Sequence, residues 1–517
     1  MRTRRSSQNP SPPPCNRIGA FSTTALSEAY VADSQEAPDL DPALSSGAMN
    51  INPRKLERVP WDHSGRHPGS RPFWTVLLWV VDIAWSIIFR RAHIDPTPET
   101  NGGAVFASIH INGLVDPLAI VKSQRTPFVS IGRHDIMTMP VIGWMTRRMG
   151  SQPVIRRAEL KGGVSDPEFA AKINQRSMLT MANCIASGHP AVVMPEGKSH
   201  QDSKLHALRT GTLRFTLNAA SIAHSRGLPT PVIQPVGLHY RCHHWFRTEA
   251  YIEFGEPINI PLVDDPLHNS KLVDGEWAEP PAEQVIPLRD ELYERLSKIT
   301  PNSPDWETYR AWHLLGHLSA IKGGSRLSSY KQEVLAAREI RDSNPPGPLL
   351  EKAIEAADIL HSMDLDATAL DENAKVDRRK SFARGIVGVL LMLVTAPIVV
   401  ISSGLQTLAG WYQGDNSDEG IDARTTHHMI GGVFSPLLFW PAASLAFTLL
   451  FTLSNPLIEF AFAFTSILVT NFIFLRGYDW WVDFRTSLRR AKLAHSASGK
   501  RLEELIDEIE SSLVVLK

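Results

Sequence analysis

"FASIHINGLVDPLAI", residues 106–120, ends an apolar run in His110 and places Asn112, Gly113 and Asp116 in the polar turn that follows, with Pro117 directly after. The run from Ala104 to Ile109 is of strand length and nearly free of polar groups, which predicts a strand buried on both faces. Further strand-length runs lie at 127–131, 152–156, 191–194, 232–238 and 249–254, and helix-like segments fall around 136–148, 168–186 and 210–225. Such alternation predicts an α/β layer structure around a mixed, mostly parallel sheet flanked by helices. In sheets of that kind, ligands sit where strand ends meet helix N-termini. The turn at 110–116 stands at one such end.

The bulk numbers narrow the choice. A chain of 517 residues exceeds one ordinary domain. Its 53 Lys and Arg against 54 Asp and Glu are scattered, so no basic surface for nucleic acid is expected. Three separated cysteines, Cys15, Cys184 and Cys242, show no CxxC spacing and predict no disulfide framework. The chain divides as follows: a disordered leader (1–70), a membrane-associated helix (71–94), the α/β domain (95–262), a charged helical insertion (263–380), a transmembrane region (381–480) and an amphipathic C-terminal helix (481–517). Residues 73–89 are short for a span, and Trp74, Trp79 and Trp85 suit an interfacial helix. Residues 385–413 and 429–458 carry no charge, and 460–475 continue after Glu459. Two spans or a paired re-entrant arrangement are expected there. Basic flanks (Arg378, Arg379, Lys380 and Arg384 before; Arg476, Arg485, Arg489 and Arg490 after) predict an integral membrane protein with the α/β domain facing the cytoplasm.

The polar residues at the strand ends suggest chemistry. An imidazole beside a carboxylate makes a general base, the carboxylate fixing the ring tautomer. No GxSxG segment supplies a serine nucleophile, so His110 is left to deprotonate a substrate hydroxyl directly. "VVMPEGKSH" (192–200) ends a second strand in Glu196, Gly197, Lys198 and Ser199; "QPVIRRAE" (152–159) ends a third in Arg156 and Arg157; Arg209 precedes the helix near 211. Cations and helix starts gathered at strand ends suit a phosphate-bearing alcohol. In "LHYRCHHWFR" (238–247), His239, Cys242, His243 and His244 lack the spacing of a structural zinc site. No metal is expected.

These blocks, spread over about 95–260, resemble the glycerolipid acyltransferase superfamily, in the branch of membrane glycerol-3-phosphate acyltransferases. Its His and Asp are separated by four residues, whereas "HINGLVD" separates His110 and Asp116 by five. "PVIRR" is similar to its second block, "PEGKSH" to its third, "LRTG" (208–211) to the Leu-Lys-x-Gly that follows, and "IQPVGLHY" to its fourth. The resemblance implies an α/β acyltransferase domain in which His110 takes the hydroxyl proton and Asp116 orients it. Arg156, Arg157, Glu196, Gly197, Lys198, Ser199 and Arg209 would bind substrate. It implies acyl transfer from acyl-CoA or acyl carrier protein to glycerol-3-phosphate, with no acyl-enzyme, no cofactor and no metal, beside a lipid bilayer. Lysophosphatidate or dihydroxyacetone phosphate as acceptor, and a non-catalytic membrane scaffold, are the alternative readings.

Overall fold

The computed structural model describes residues 49–242, 246–416, 421–451 and 455–513. Eight strands form one sheet: β1 (Phe89–Ile94), β2 (Ala104–Ser108), β3 (Val129–Arg133), β4 (Gln152–Val154), β5 (Ala191–Val193), β6 (Val232–Tyr240), β7 (Thr248–Phe254) and β8 (Ile258–Asn259). Their order is β1-β7-β6-β2-β5-β3-β4, with β8 also on β6. β2 runs parallel to both β5 and β6, and β3 parallel to β5 and β4, whereas β7 and β8 pair antiparallel with β6. The expected mixed, mostly parallel sheet is present. All five residues of β2 are buried, as its unbroken apolar pattern requires of a strand covered on both faces. Because β2, β5, β3 and β4 are parallel, their carboxyl ends open on one edge.

The helices that matter here are α1 (Arg71–Ile88), α2 (Val115–Gln124), α3 (Pro140–Met149), α4 (Pro167–Ala186), α5 (Gly211–Ser225) and α6 (Ala282–Ile299). Phe106, Ile120, Ile185, Phe215, Ile252 and Leu296 share one core with the strands, each at 3% exposure or less. A fully buried side chain of this kind contributes about 1.5–3 kcal/mol. α1 has two characters. It buries Trp74, Val81 and Ala84 in that core, yet leaves Val76 and Trp79 about 60% exposed. Its Asp82 pairs with Lys122 (2.5 Å) and Arg125 (2.8 Å) of the segment that follows β2. Residues 49–70 depart from the expected disordered leader: Ile51, Leu56 and Val59 are buried, and His67 Nε2 lies 2.9 Å from the Phe128 carbonyl. Apolar residues spaced among the prolines pin the stretch to the domain. The leader's residues 1–48 lie outside the described residues.

A second, all-helical core is built from α7 (Trp306–Lys322), α8 (Tyr330–Asp342) and α9 (Gly347–Ser362), closed by a helix from the far end of the chain. α8 ties this core to the sheet. Arg241, at the end of β6, pairs with Glu249, Glu333 and Asp366, and Arg338 pairs with Glu253. Three long apolar helices follow: α10 (Phe382–Asp415), α11 (Arg424–Leu450) and α12 (Pro456–Ala494). With Arg71–Ile88 they make four helices, among the described residues, long and apolar enough to cross a membrane. Three of these lie in the C-terminal region, where the sequence suggests two spans or a re-entrant pair. Glu459 does not interrupt the third, because it sits in the first turn of α12, where the helix dipole favours an acid. α10 and α12 touch backbone to backbone. A Cβ on Gly388 would stand 2.7 Å from the Gly477 carbonyl oxygen, the close approach that small residues allow between membrane helices. α13 (Ala497–Ser512) sets Leu502, Leu505, Ile506 and Ile509 into the helical core.

Cys184 is a free, buried thiol whose pKa burial pushes up to about 12. Cys242 is buried.

Candidate active site

β2 stops at Ser108, and the chain turns through His110–Leu114 into α2, whose first turn holds Asp116. The turn folds around that carboxylate. Asp116 Oδ2 accepts the backbone N–H groups of Ile111 and Asn112, each at 2.8 Å, and lies 2.9 Å from His110 Nδ1. Its other oxygen, Oδ1, accepts the Tyr240 hydroxyl at 2.8 Å. Asp116 is wholly buried, whereas the His110 side chain keeps 21% of its surface. An acceptor-only carboxylate requires the proton on Nδ1. That leaves Nε2 unprotonated and without a protein partner among the described residues. The five-residue spacing is thus compatible with a direct His–Asp contact; Gly113, at φ +38°, takes up the tight part of the turn.

Tyr240 escapes a reading of sequence alone, since an aromatic on a buried strand reads as core. Burial raises its pKa well above the ordinary value, and the Asp116 charge and hydrogen bond add to this. It stays a protonated donor.

Glu196, expected to bind substrate, is tied into the His110 turn. Its Oε2 accepts the His110 backbone N–H at 2.9 Å, and its Oε1 accepts the His206 backbone N–H at 2.8 Å and lies 2.9 Å from His200 Nε2. With 2% of its side chain exposed, it is a brace between the β5 loop and the His110–Asp116 turn. His200 answers in kind, its backbone N–H reaching the His110 carbonyl at 3.0 Å. Burial opposes charge on His200, but the hydrogen bond and charge of Glu196 outweigh it and raise the pKa.

Gly197 is exposed at φ +76°, Lys198 and Ser199 are half-buried, and Arg209 is exposed. The Arg209 backbone N–H reaches the Pro195 carbonyl at 2.7 Å, and a Cβ on Gly197 would meet Arg209 Cγ at 3.3 Å. These four residues therefore form one rim beside β5. Arg156 stands further along the edge, at the end of β4. With two intervening strands, at about 4.8 Å per step, it is about 14 Å from β2. Its Nε and Nη2 close on Glu159 at 2.8 and 2.6 Å, and no hydrogen bond or ion pair joins it to the His110 network among the described residues. The side chain of Arg157 lies outside the described residues, as do His243 and His244.

His200, Asp202 and His206 bring ligand atoms within 4.8 Å of one another, a possible metal-holding group. The protein already uses these atoms: His200 Nδ1 accepts from the Asp202 backbone N–H at 3.2 Å, and His206 Nε2 lies 2.7 Å from Asp202 Oδ2. That hydrogen bond, first among several, lowers the pKa of Asp202. His239 is likewise engaged, with Nε2 2.6 Å from Glu253.

A base held by a buried acid at one strand end, with a cationic rim on the neighbouring strand, defines an acyltransferase-type site. Residues 90–239 match the family model described as Acyltransferase. The match spans the stretch whose sequence blocks resemble the glycerolipid acyltransferase superfamily. It is 25% identical over 387 residues to glycerol-3-phosphate O-acyltransferase 1 of Saccharomyces cerevisiae, covering 69% of this chain and 48% of that one. Identity is 32% over 120 residues to glycerol-3-phosphate O-acyltransferase 2 of the same yeast (22% and 14% covered). It is 30% over 133 residues to an uncharacterized acyltransferase of Schizosaccharomyces pombe (26% and 17% covered). The chain spans about half or less of the length of these relatives. Among solved structures, it has a TM-score of 0.26 and 14% identity to the 1-acyl-sn-glycerophosphate acyltransferase PlsC of Thermotoga maritima, covering 43% of this chain and 77% of that one.

Proposed function

We propose that the protein transfers an acyl group from a thioester, acyl-CoA or acyl carrier protein, to the sn-1 hydroxyl of glycerol-3-phosphate at a membrane surface. The observation that carries this reading is the 2.9 Å contact between His110 Nδ1 and an Asp116 carboxylate that has no surface exposed. His110 Nε2 takes the proton as the hydroxyl oxygen attacks the thioester carbonyl. The tetrahedral intermediate collapses with departure of the thiolate, which recovers the proton from the imidazolium. Asp116 stabilises the imidazolium meanwhile, which is the usual contribution of such a carboxylate. No acyl-enzyme forms, and acyl-CoA serves as co-substrate without a further cofactor.

The phosphate would lie on the rim of Lys198, Ser199 and Arg209, with Arg156 and Arg157 completing its cradle. Glycerol-3-phosphate is favoured over lysophosphatidate by the similarity to two yeast glycerol-3-phosphate O-acyltransferases. The apolar outer faces of α10–α12 support a membrane setting, and the basic flanks favour a cytoplasmic α/β domain.

The test is transfer from labelled palmitoyl-CoA in membranes bearing the chain, with each acceptor, beside His110→Ala. Product from glycerol-3-phosphate that falls at least about 100-fold in the variant is expected. Transfer to lysophosphatidate alone would move the enzyme to the second acylation step. Equal background in both forms would overturn the catalytic reading.

A further inference from the structure

The His110–Asp116 turn leaves two polar groups that it cannot satisfy itself. One is the side-chain carbonyl of Asn112, a residue 1% exposed. The other is the backbone N–H of Leu114, one of the orphan donors at the start of α2. Both find partners about 310 positions away. Thr425 Oγ1 donates to Asn112 Oδ1 at 2.6 Å, and Leu114 N–H donates to Thr426 Oγ1 at 3.1 Å. These threonines open α11, the second of the three long C-terminal helices. The same helix sets Met429 (2% exposed) and Val433 (7%) into the sheet's core. Gly431 and Gly410 bring α10 and α11 together, a Cβ on Gly431 standing 2.9 Å from Gly410 Cα.

We propose that Thr425 and Thr426 are positioning residues for the His110–Asp116 pair, so that the active site is finished by the membrane region rather than by the α/β domain alone. The proposal rests on the acyl-transfer reading above. The path is short. Thr425 fixes the Asn112 side chain; Asn112, held there, directs its backbone N–H at Asp116 Oδ2; and that oxygen holds His110 Nδ1. Neither threonine touches His110. Their effect is on orientation, where a displacement of an ångström is costly.

Thr425→Val keeps shape and removes the donor. Its kcat is expected to fall about 10-fold, with KM for glycerol-3-phosphate within about twofold, since the phosphate rim is untouched. Thr425→Ser, which keeps the donor, should recover most of the rate. Wild-type kcat in Thr425→Val, or equal impairment in both variants, would overturn the proposal. A readout independent of activity is cross-linking of Leu114→Cys to Thr426→Cys by a short bifunctional thiol reagent in native membranes, against each single variant. Cross-linking is expected, and its failure would overturn the contact. An inert wild type would overturn the acyl-transfer reading and the positioning role with it, while the cross-link would still decide the contact.

Discussion

The edge where the parallel strands end has two halves built on opposite plans. Around β2 and β5, backbone and side-chain donors converge on two buried carboxylates, Asp116 and Glu196, and one ring nitrogen of His110 has no protein partner among the described residues. Around β3 and β4, the cations close on acids of their own neighbourhood: Arg133 on Asp135 and Arg156 on Glu159. Buried His134 lies 3.7 Å from the same Glu159, and burial holds its pKa down. The base is preorganised. The cations beyond it are already partnered, so a phosphate reaching Arg156 must compete with a buried carboxylate. On the proposed reading, rigid geometry belongs to the proton transfer and exchange of partners to binding.

The sharpest way to break this contrast is Asp116→Asn. The amide would offer His110 Nδ1 the wrong partner and disturb the tautomer, and kcat should fall about 10³–10⁴-fold in the transfer assay. Glu196→Gln comes next. It places an N–H₂ where donors converge on the carboxylate, with an expected loss of about 1–3 kcal/mol of stability in a denaturation midpoint and about 10- to 100-fold in kcat. If Glu196 instead held substrate, KM would rise and stability would stay. Arg156→Lys tests the other half. It keeps the charge and loses the planar fork, so KM for glycerol-3-phosphate should rise about 10-fold with kcat nearly constant. A fall in kcat alone would remove the contrast.

Tyr240→Phe gives the smallest effect, about fivefold in kcat, the worth of about 1 kcal/mol for one hydrogen bond. The pH dependence sharpens it. The Tyr240 pKa is raised above its ordinary value of 10.0, so its contribution to stability is complete below pH 10 and is lost only as pH rises beyond that. An alkaline limb in the rate below pH 9 should therefore be the same in wild type and Tyr240→Phe. A limb that vanishes in the variant would assign it to the phenol.

Much of this edge was legible in the sequence because its strands are apolar on both faces and its polar residues cluster where those strands stop. β2, β5, β6 and β7 stand within a residue or two of their expected places. β1 was not legible. "FRRAHI" has only its first residue buried, because it is an edge strand against β7, and its charges read as the flank of a membrane helix. His110 and Asp116 were found because their chemistry is local, six positions apart. Glu196 was found as a site residue but its burial was not, since a carboxylate in a glycine-containing loop reads as exposed until its three partners are known. Tyr240, Thr425 and Thr426 act over 124 to 313 positions, and nothing in their own neighbourhood announces it.

α12 runs unbroken from Pro456 to Ala494, 39 residues or about 58 Å, nearly twice the thickness of a hydrocarbon core. Asp479 and Asp483 project from it about 35–40 Å along, and there Arg247 and Arg90 of the sheet are fastened, each acid–guanidinium pair at 2.6 Å. The helix is in effect a mast, with the sheet lashed to it at these two acids. Any tilt of so long a rod would be passed straight to the sheet, and with it to the His110–Asp116 turn.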